Sequence, residues 1–127
     1  MSDGAPDLHG VVVAHGAIAS AMVDAVEQIT GIRDVLAPVS NSGCDRGALE
    51  ERIWTAIGEG PAVVFVDLAA GSCLIAVLRR VRERPDVRVV TGVNLAMLVD
   101  FVFHRTLPAD EAAAHAAASG GSAIKVP

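Results

Sequence analysis

The chain has 127 residues and a mass of 13.0 kDa, with 52% hydrophobic and 20% charged residues, which suits one domain with one core and excludes disorder over most of its length. A formal net charge of −5, three Phe, one Trp and no Tyr leave neither a basic field nor a base-stacking platform, so no nucleic-acid role is expected. The acidic first residues lack a basic n-region, and no stretch approaches the roughly 18 apolar residues of a membrane span. Cys44 and Cys73 form no CxxC, so a reducing cytoplasm without a disulfide framework is the expected location.

Residues 1–8 read as a loose leader to a single domain spanning 1–127. Val11–Ala14 is an unbroken apolar run rich in β-branched residues, the pattern of a strand buried on both faces. Ile18, Met22, Val26 and Ile29 recur at helical spacing within Ala17–Thr30, and Gly31 supplies the stop. Val35–Val39 is a weaker strand, interrupted by Pro38 and followed by a turn-like Ser40-Asn-Ser-Gly43. A second helix is predicted from about Asp45 to Ile57, with Leu49, Ile53 and Ile57 on one face and Gly58, Gly60 and Pro61 ending it. Ala62–Val66 is the clearest strand. Gly71–Arg84 is a third helix, with Leu74, Val77, Leu78 and Val81 inward and Arg79, Arg80, Arg82 and Arg84 on a solvated face. Val87–Thr91 is a fourth strand, and Leu95, Leu98, Val99 and Val102 mark a fourth helix. Pro108 opens an Ala-rich helix that reaches about Ser119 and is broken by Gly120-Gly121. Ala123–Val126 reads as a last short strand.

This alternation predicts an α/β fold: an open, mainly parallel four-stranded sheet with helices on both faces. Such sheets bind ligands at the carboxyl ends of their strands. The residues just after Ala14, Val39, Val66 and Thr91 therefore rank first. His15-Gly16 follows the first strand, Asp67 through Gly71-Ser72 the third, and Gly92-Val-Asn94 the fourth. Each of these loops leads into a helix, whose free N–H groups suit phosphate. Together they read as an imidazole nucleophile, a carboxylate to orient it, and an oxyanion cradle. Taken singly, Asp67 and Ser72 also fit caps, and Asn94 also fits the cap of the fourth helix.

Other templates fail. The sequence has no GxxxxGK[ST], no GxGxxG after a strand, no HExxH and no GxSxG elbow, the local string being Ala70-Gly-Ser-Cys73. No Cys/His set has zinc spacing, so no metal and no cofactor are expected. His9 and His15 would lie about 20 Å apart along one strand, too far to share an ion. His104 and His115 have no spaced partner and read as surface or packing residues. Cys73 reads as a small semi-buried residue beside the site. The arginines between Arg79 and Arg88 could also dock an acidic partner.

Three segments, in order, resemble the IIA component of the mannose-type (mannose/fructose/sorbose) bacterial phosphotransferase system. They are Val11-Val-Val-Ala-His-Gly16 with the helix ending at Gly31, Asp67-Leu-Ala-Ala-Gly-Ser72, and Gly92-Val-Asn-Leu-Ala-Met-Leu98, the last being the most specific. The resemblance covers about residues 9–126. It implies a transient phosphohistidine at His15, oriented by Asp67, with Ser72 and backbone N–H groups of Gly16 and Gly71 holding the phosphoryl oxygens and Asn94 lining the site. It implies the histidine-containing phosphocarrier protein as donor, a IIB component as acceptor, and contact with a membrane permease only indirectly. It also implies a homodimer that exchanges the strand at about Ala123–Val126. Ala70 stands where the family has glycine, and Cys73 and Ala96 stand where it has proline. An alanine at 70 takes a negative φ or accepts strain, so a loop seated differently from the family's is expected. The alternatives are a regulatory or binding module of the same fold, phosphorylated as a signal, and a small-molecule phosphate or nucleotide binder using the same cradle.

Overall fold

The computed structural model describes residues 7–127, so most of the predicted leader lies outside the described residues. Four strands and five helices follow in the order β1 (His9–Ala14), α1 (Ile18–Thr30), β2 (Leu36–Ser40), α2 (Arg46–Ile57), β3 (Ala62–Val66), α3 (Ser72–Val81), β4 (Val87–Thr91), α4 (Leu95–Val102) and α5 (Ala109–Ser122). The sheet is wholly parallel in the order β2-β1-β3-β4. The order reverses between β1 and β3, where Val13 pairs with Val66. His15 and Asp67 leave the sheet side by side at this switch point, the place where open α/β sheets bind ligands.

Alternation along the strands divides the core. Val12, Ala14, Val63 and Phe65 face α1, α4 and α5, whereas Val11, Val13, Val64 and Val66 face α2 and α3. Every residue of Val11–Ala14 and of Ala62–Val66 is fully buried, as continuous apolar runs require. Phe65 meets Phe101 of α4 edge to face at 5.3 Å, a contact worth about 0.5–1.5 kcal/mol beyond its buried area. Gly10 admits that packing: a Cβ there would sit 2.5 Å from Leu36 and 2.6 Å from Phe101.

Several expectations need correction. Pro38 does not interrupt β2, because β2 lies at the sheet edge and pairs only with β1. The first helix turns Ala19, Val23 and Val26 inward and leaves Ile18 and Ile29 exposed, since small side chains let it lie close on the sheet. In α3, Cys73, Ala76, Val77 and Val81 are inward and Leu78 is exposed. That helix stops at Val81, short of Arg84. The Arg84 guanidinium donates to the carbonyls of Gly58, Glu59 and Gly60 and to Asp86, so it clamps the α2–β3 turn instead of lying on a solvated face. Leu8 is buried, and its backbone bonds Arg105 at both ends, so the chain is already fixed there.

The largest departure is at the carboxyl end. Gly120 and Gly121 do not break α5, which continues to Ser122. Gly120 is needed inside the helix because α5 packs hard on α4: a Cβ at 120 would lie 2.4 Å from Met97 Cγ. Beyond Ala123 the chain is irregular, and the strand expected over Ala123–Val126 does not form within the monomer. Ile124 and Val126 are left exposed.

Candidate active site

His15 follows the last residue of β1, and Asp67 the last residue of β3. Asp67 Oδ2 accepts twice from His15: from its backbone N–H at 2.9 Å and from ring Nδ1 at 2.8 Å. Oδ1 accepts from Leu68 N–H at 3.0 Å. A carboxylate oxygen can only accept here, so in the neutral ring Nδ1 carries the proton and Nε2 keeps its lone pair. The imidazole is 40% exposed and the carboxylate 12%, so a nearly buried acid holds a partly exposed ring. Burial pushes the Asp67 carboxyl up. The hydrogen bonds from the His15 amide and ring, the imidazole charge and the Leu68 N–H outweigh it and hold the group below its ordinary value.

The site is braced from β2. Gly16 N–H donates to Asn41 Oδ1 at 3.1 Å, and Ser40 Oγ donates to the Gly16 carbonyl at 2.7 Å. Arg52 of α2 donates to the carbonyls of Ser40 and Ser42, both at 2.9 Å. Gly16 turns with a φ of +60°. Asn41 and Ser40 are not among the predicted site residues, although the rule of looking just past each strand end points at them.

Two helix N-termini meet this edge without a side-chain cap. α1 begins after Ala17 and α3 after Gly71, and neither capping residue offers a side-chain acceptor. By contrast, Asp45 caps α2 and Asn94 caps α4. Ile18 N–H bonds the His15 carbonyl, so the free N–H groups for an anion are those of Ala19 and Ser20 in α1 and of the first turn of α3. The α3 terminus lies against the ring, since Cys73 Sγ is 3.8 Å from His15 Nδ1. Gly71 takes the positive φ of the loop, +96°, and Ala70 has none, which meets the requirement on an alanine there. Ser72 is the exposed first residue of α3, and its side chain borders a cleft of about 220 Å³ with Asn41, Asp45 and Arg46.

The remaining expected residues are placed as follows. Asn94 uses its oxygen to cap α4 at Met97 N–H and its amide to bond the Gly120 carbonyl, so it ties α4 to α5. Cys73 is fully buried; burial, then the charges of Asp67 and Cys44, push its thiol up, so it stays protonated and is no nucleophile at neutral pH. His15, Asp67 and Cys73 bring three potential metal donors within 4.8 Å, a grouping that sequence spacing concealed. His104 and His115, read as unpartnered, stack on each other with ring centroids 4.1 Å apart, because α4 and α5 fold back together across a short turn.

A parallel α/β sheet with a carboxylate-oriented imidazole and free helix N-termini at its switch point defines a candidate phosphoryl-handling protein. Residues 10–118 match the family described as the fructose IIA component of the phosphotransferase system. The chain is 30% identical over 112 residues to the sorbose-specific EIIA component of Klebsiella pneumoniae, covering 85% of this chain and 83% of that protein. Its fold is similar to that of the mannose/sorbose-specific IIA subunit from Enterococcus faecalis, with a TM-score of 0.80, 24% identity and 96% of each chain covered. Phosphotransferase component EIIA from Streptococcus agalactiae superposes with a TM-score of 0.80 at 23% identity, covering 94% of this chain and 96% of that one. The chain belongs to the mannose-type IIA family of the sugar phosphotransferase system. Among the described residues no helix is long and apolar enough to cross a membrane.

Proposed function

We propose that His15 Nε2 accepts a phosphoryl group from the histidine-containing phosphocarrier protein and passes it to a IIB component. The observation that carries this reading is the 2.8 Å bond between Asp67 and Nδ1, which in the neutral ring leaves the lone pair on Nε2 of a partly exposed side chain. Nε2 attacks phosphorus in line. The new P–Nε2 bond forms as the donor's P–N bond breaks, and that electron pair stays on the donor nitrogen. Positive charge develops on the His15 ring, where Asp67 lies ready to offset it. Free N–H groups at the starts of α1 and α3, with Gly71 and Ser72, are suited to holding the phosphoryl oxygens, whereas Gly16, expected beside them, spends its N–H on Asn41 Oδ1 and shapes the turn. Transfer back out is the same step reversed, so the cradle must hold the group only loosely. The donor phosphoryl is already activated, and the step uses positioning and charge stabilisation.

The setting fits the cytoplasm, with the permease reached only through the IIB component. The exposed Ile124 and Val126 suit the exchange of residues 123–126 between two subunits of a homodimer. Sedimentation of a chain ending at Ala123 tests that exchange: a monomer supports it, and an unchanged dimer counts against it.

The test of function is intact-mass analysis after incubation with phosphoenolpyruvate, enzyme I and the phosphocarrier protein. One acid-labile phosphoryl on the wild type and none on His15→Ala is the expected result. Phosphate on the His15→Ala chain removes His15 as acceptor. A well-folded wild type that stays unmodified with active donors from the source cell favours the binding-module alternative.

A further inference from the structure

A second cluster of titratable groups joins α4 to α5. Asp100 projects from α4, His104 follows the end of that helix, and His115 faces them from the middle of α5. Asp100 Oδ2 lies 2.8 Å from His115 Nδ1, and Oδ1 lies 3.6 Å from His104 Nδ1. Ser119 Oγ donates to Oδ1 at 2.8 Å, and His104 Nδ1 donates to the Asp100 carbonyl at 2.7 Å. One donor atom from each of the three residues lies within 4.8 Å of the other two. The carboxylate is 11% exposed, and the His104 and His115 side chains are 36% and 49% exposed.

We propose that Asp100, His104 and His115 form a binding site for a divalent ion of the zinc class. Two imidazoles and one carboxylate are the donors such ions prefer, whereas magnesium and calcium favour all-oxygen sets. Three protein ligands open to solvent leave a fourth position for water or another ligand. Ser119 already orients the carboxylate, as an outer hydrogen bond does in metal centres. Each neutral ring moves its N–H from Nδ1 to Nε2, and the freed Nδ1 lone pair takes the ion. A ring protonated on both nitrogens must first lose a proton, so affinity falls at low pH. The ring planes, now 34° apart, have to open for their in-plane lone pairs to converge, and their exposure gives them room. The ion would clip the end of α4 to α5, the helix that leads into the exposed carboxyl tail.

Calorimetric titration of the full chain with zinc chloride tests this. One equivalent is expected to bind at a site that Cys73→Ala leaves intact. His104→Ala or His115→Ala should weaken it by more than tenfold, and Ser119→Ala by about tenfold. Magnesium should not compete. Cobalt(II) should give d–d absorption without a thiolate charge-transfer band. Absence of binding overturns the proposal, as does binding unchanged in folded His104→Ala and His115→Ala chains. A thiolate band that Cys73→Ala abolishes also overturns it, by moving the ion to His15 and Asp67.

Discussion

His15–Asp67 and His115–Asp100 share the same bond: Nδ1 to Oδ2 at 2.8 Å, with the carboxylate nearly buried and the ring partly open. Their surroundings differ. His15 stands at the sheet's switch point, beside the uncapped starts of α1 and α3. His115 stands in the middle of α5, where the backbone N–H groups are spent within the helix, and its neighbours are a second imidazole and a serine hydroxyl. In both places the carboxylate holds the ring through Nδ1. Only at His15 are there free donors for an anion, and only at His115 is there a second imidazole for a cation. A His–Asp pair is thus a common part, and the backbone around it selects the chemistry.

The sharpest way to break this comparison is to remove each ring. His15→Ala should abolish phosphoryl acceptance, while His115→Ala should take up one phosphoryl as the wild type does; intact mass after donor treatment reads both. Phosphate lost with His115 would show that the two pairs are coupled. Removing each carboxylate charge is the next test. A charge-assisted hydrogen bond is worth about 1.5–3 kcal/mol, so Asp67→Asn should slow transfer roughly 10- to 100-fold in rapid-quench experiments. Asp100→Asn should leave the rate within about twofold, because its carboxylate serves His115 and Ser119 and not the reacting ring.

The two regions were unequally legible in the sequence. The parallel sheet, its buried strands and the convergence of His15 and Asp67 follow from apolar runs and from the strand-end rule, since both residues lie directly past such runs. Asn41 was harder to see because its role, accepting from Gly16 N–H, depends on the register of β2 against β1. The His104–His115 stack was invisible for a different reason. It depends on the angle at which α5 returns over α4, and no local pattern encodes that angle. The same packing hid the true end of α5: the pair Gly120-Gly121 reads as a stop, but one glycine is there for Met97.

That packing supplies a smaller test, aimed at the α4–α5 side alone. Gly120→Ala would force a methyl into Met97 and should cost about 1–3 kcal/mol of unfolding free energy. Gly121→Ala meets nothing within 4 Å in the same helix and should stabilise by about 0.4–1 kcal/mol. Chemical denaturation reads both. If the two substitutions behave alike, the close approach of α5 to α4 is wrong, and with it the stack of the two imidazoles. Phosphoryl acceptance by His15 should survive either change.

The smallest effect expected is on acid stability, and it isolates the His15 side. The Asp67 carboxyl is held below its ordinary value of 3.8 in the folded chain, because the bonds and charge from His15 outweigh burial. A depressed carboxylate contributes stability that is fully present above the unfolded value. That contribution fades as pH falls from about 4 through the lower folded value, where the protonated acid loses its charge-assisted bonds. The wild type should therefore exceed Asp67→Asn in stability at pH 5, and the gap should narrow below pH 4. Denaturant midpoints taken across that range measure it. A gap that stays level down to pH 3 would mean that Asp67 contributes through packing, and the charge assigned to the pair would then have to be carried by the cradle alone.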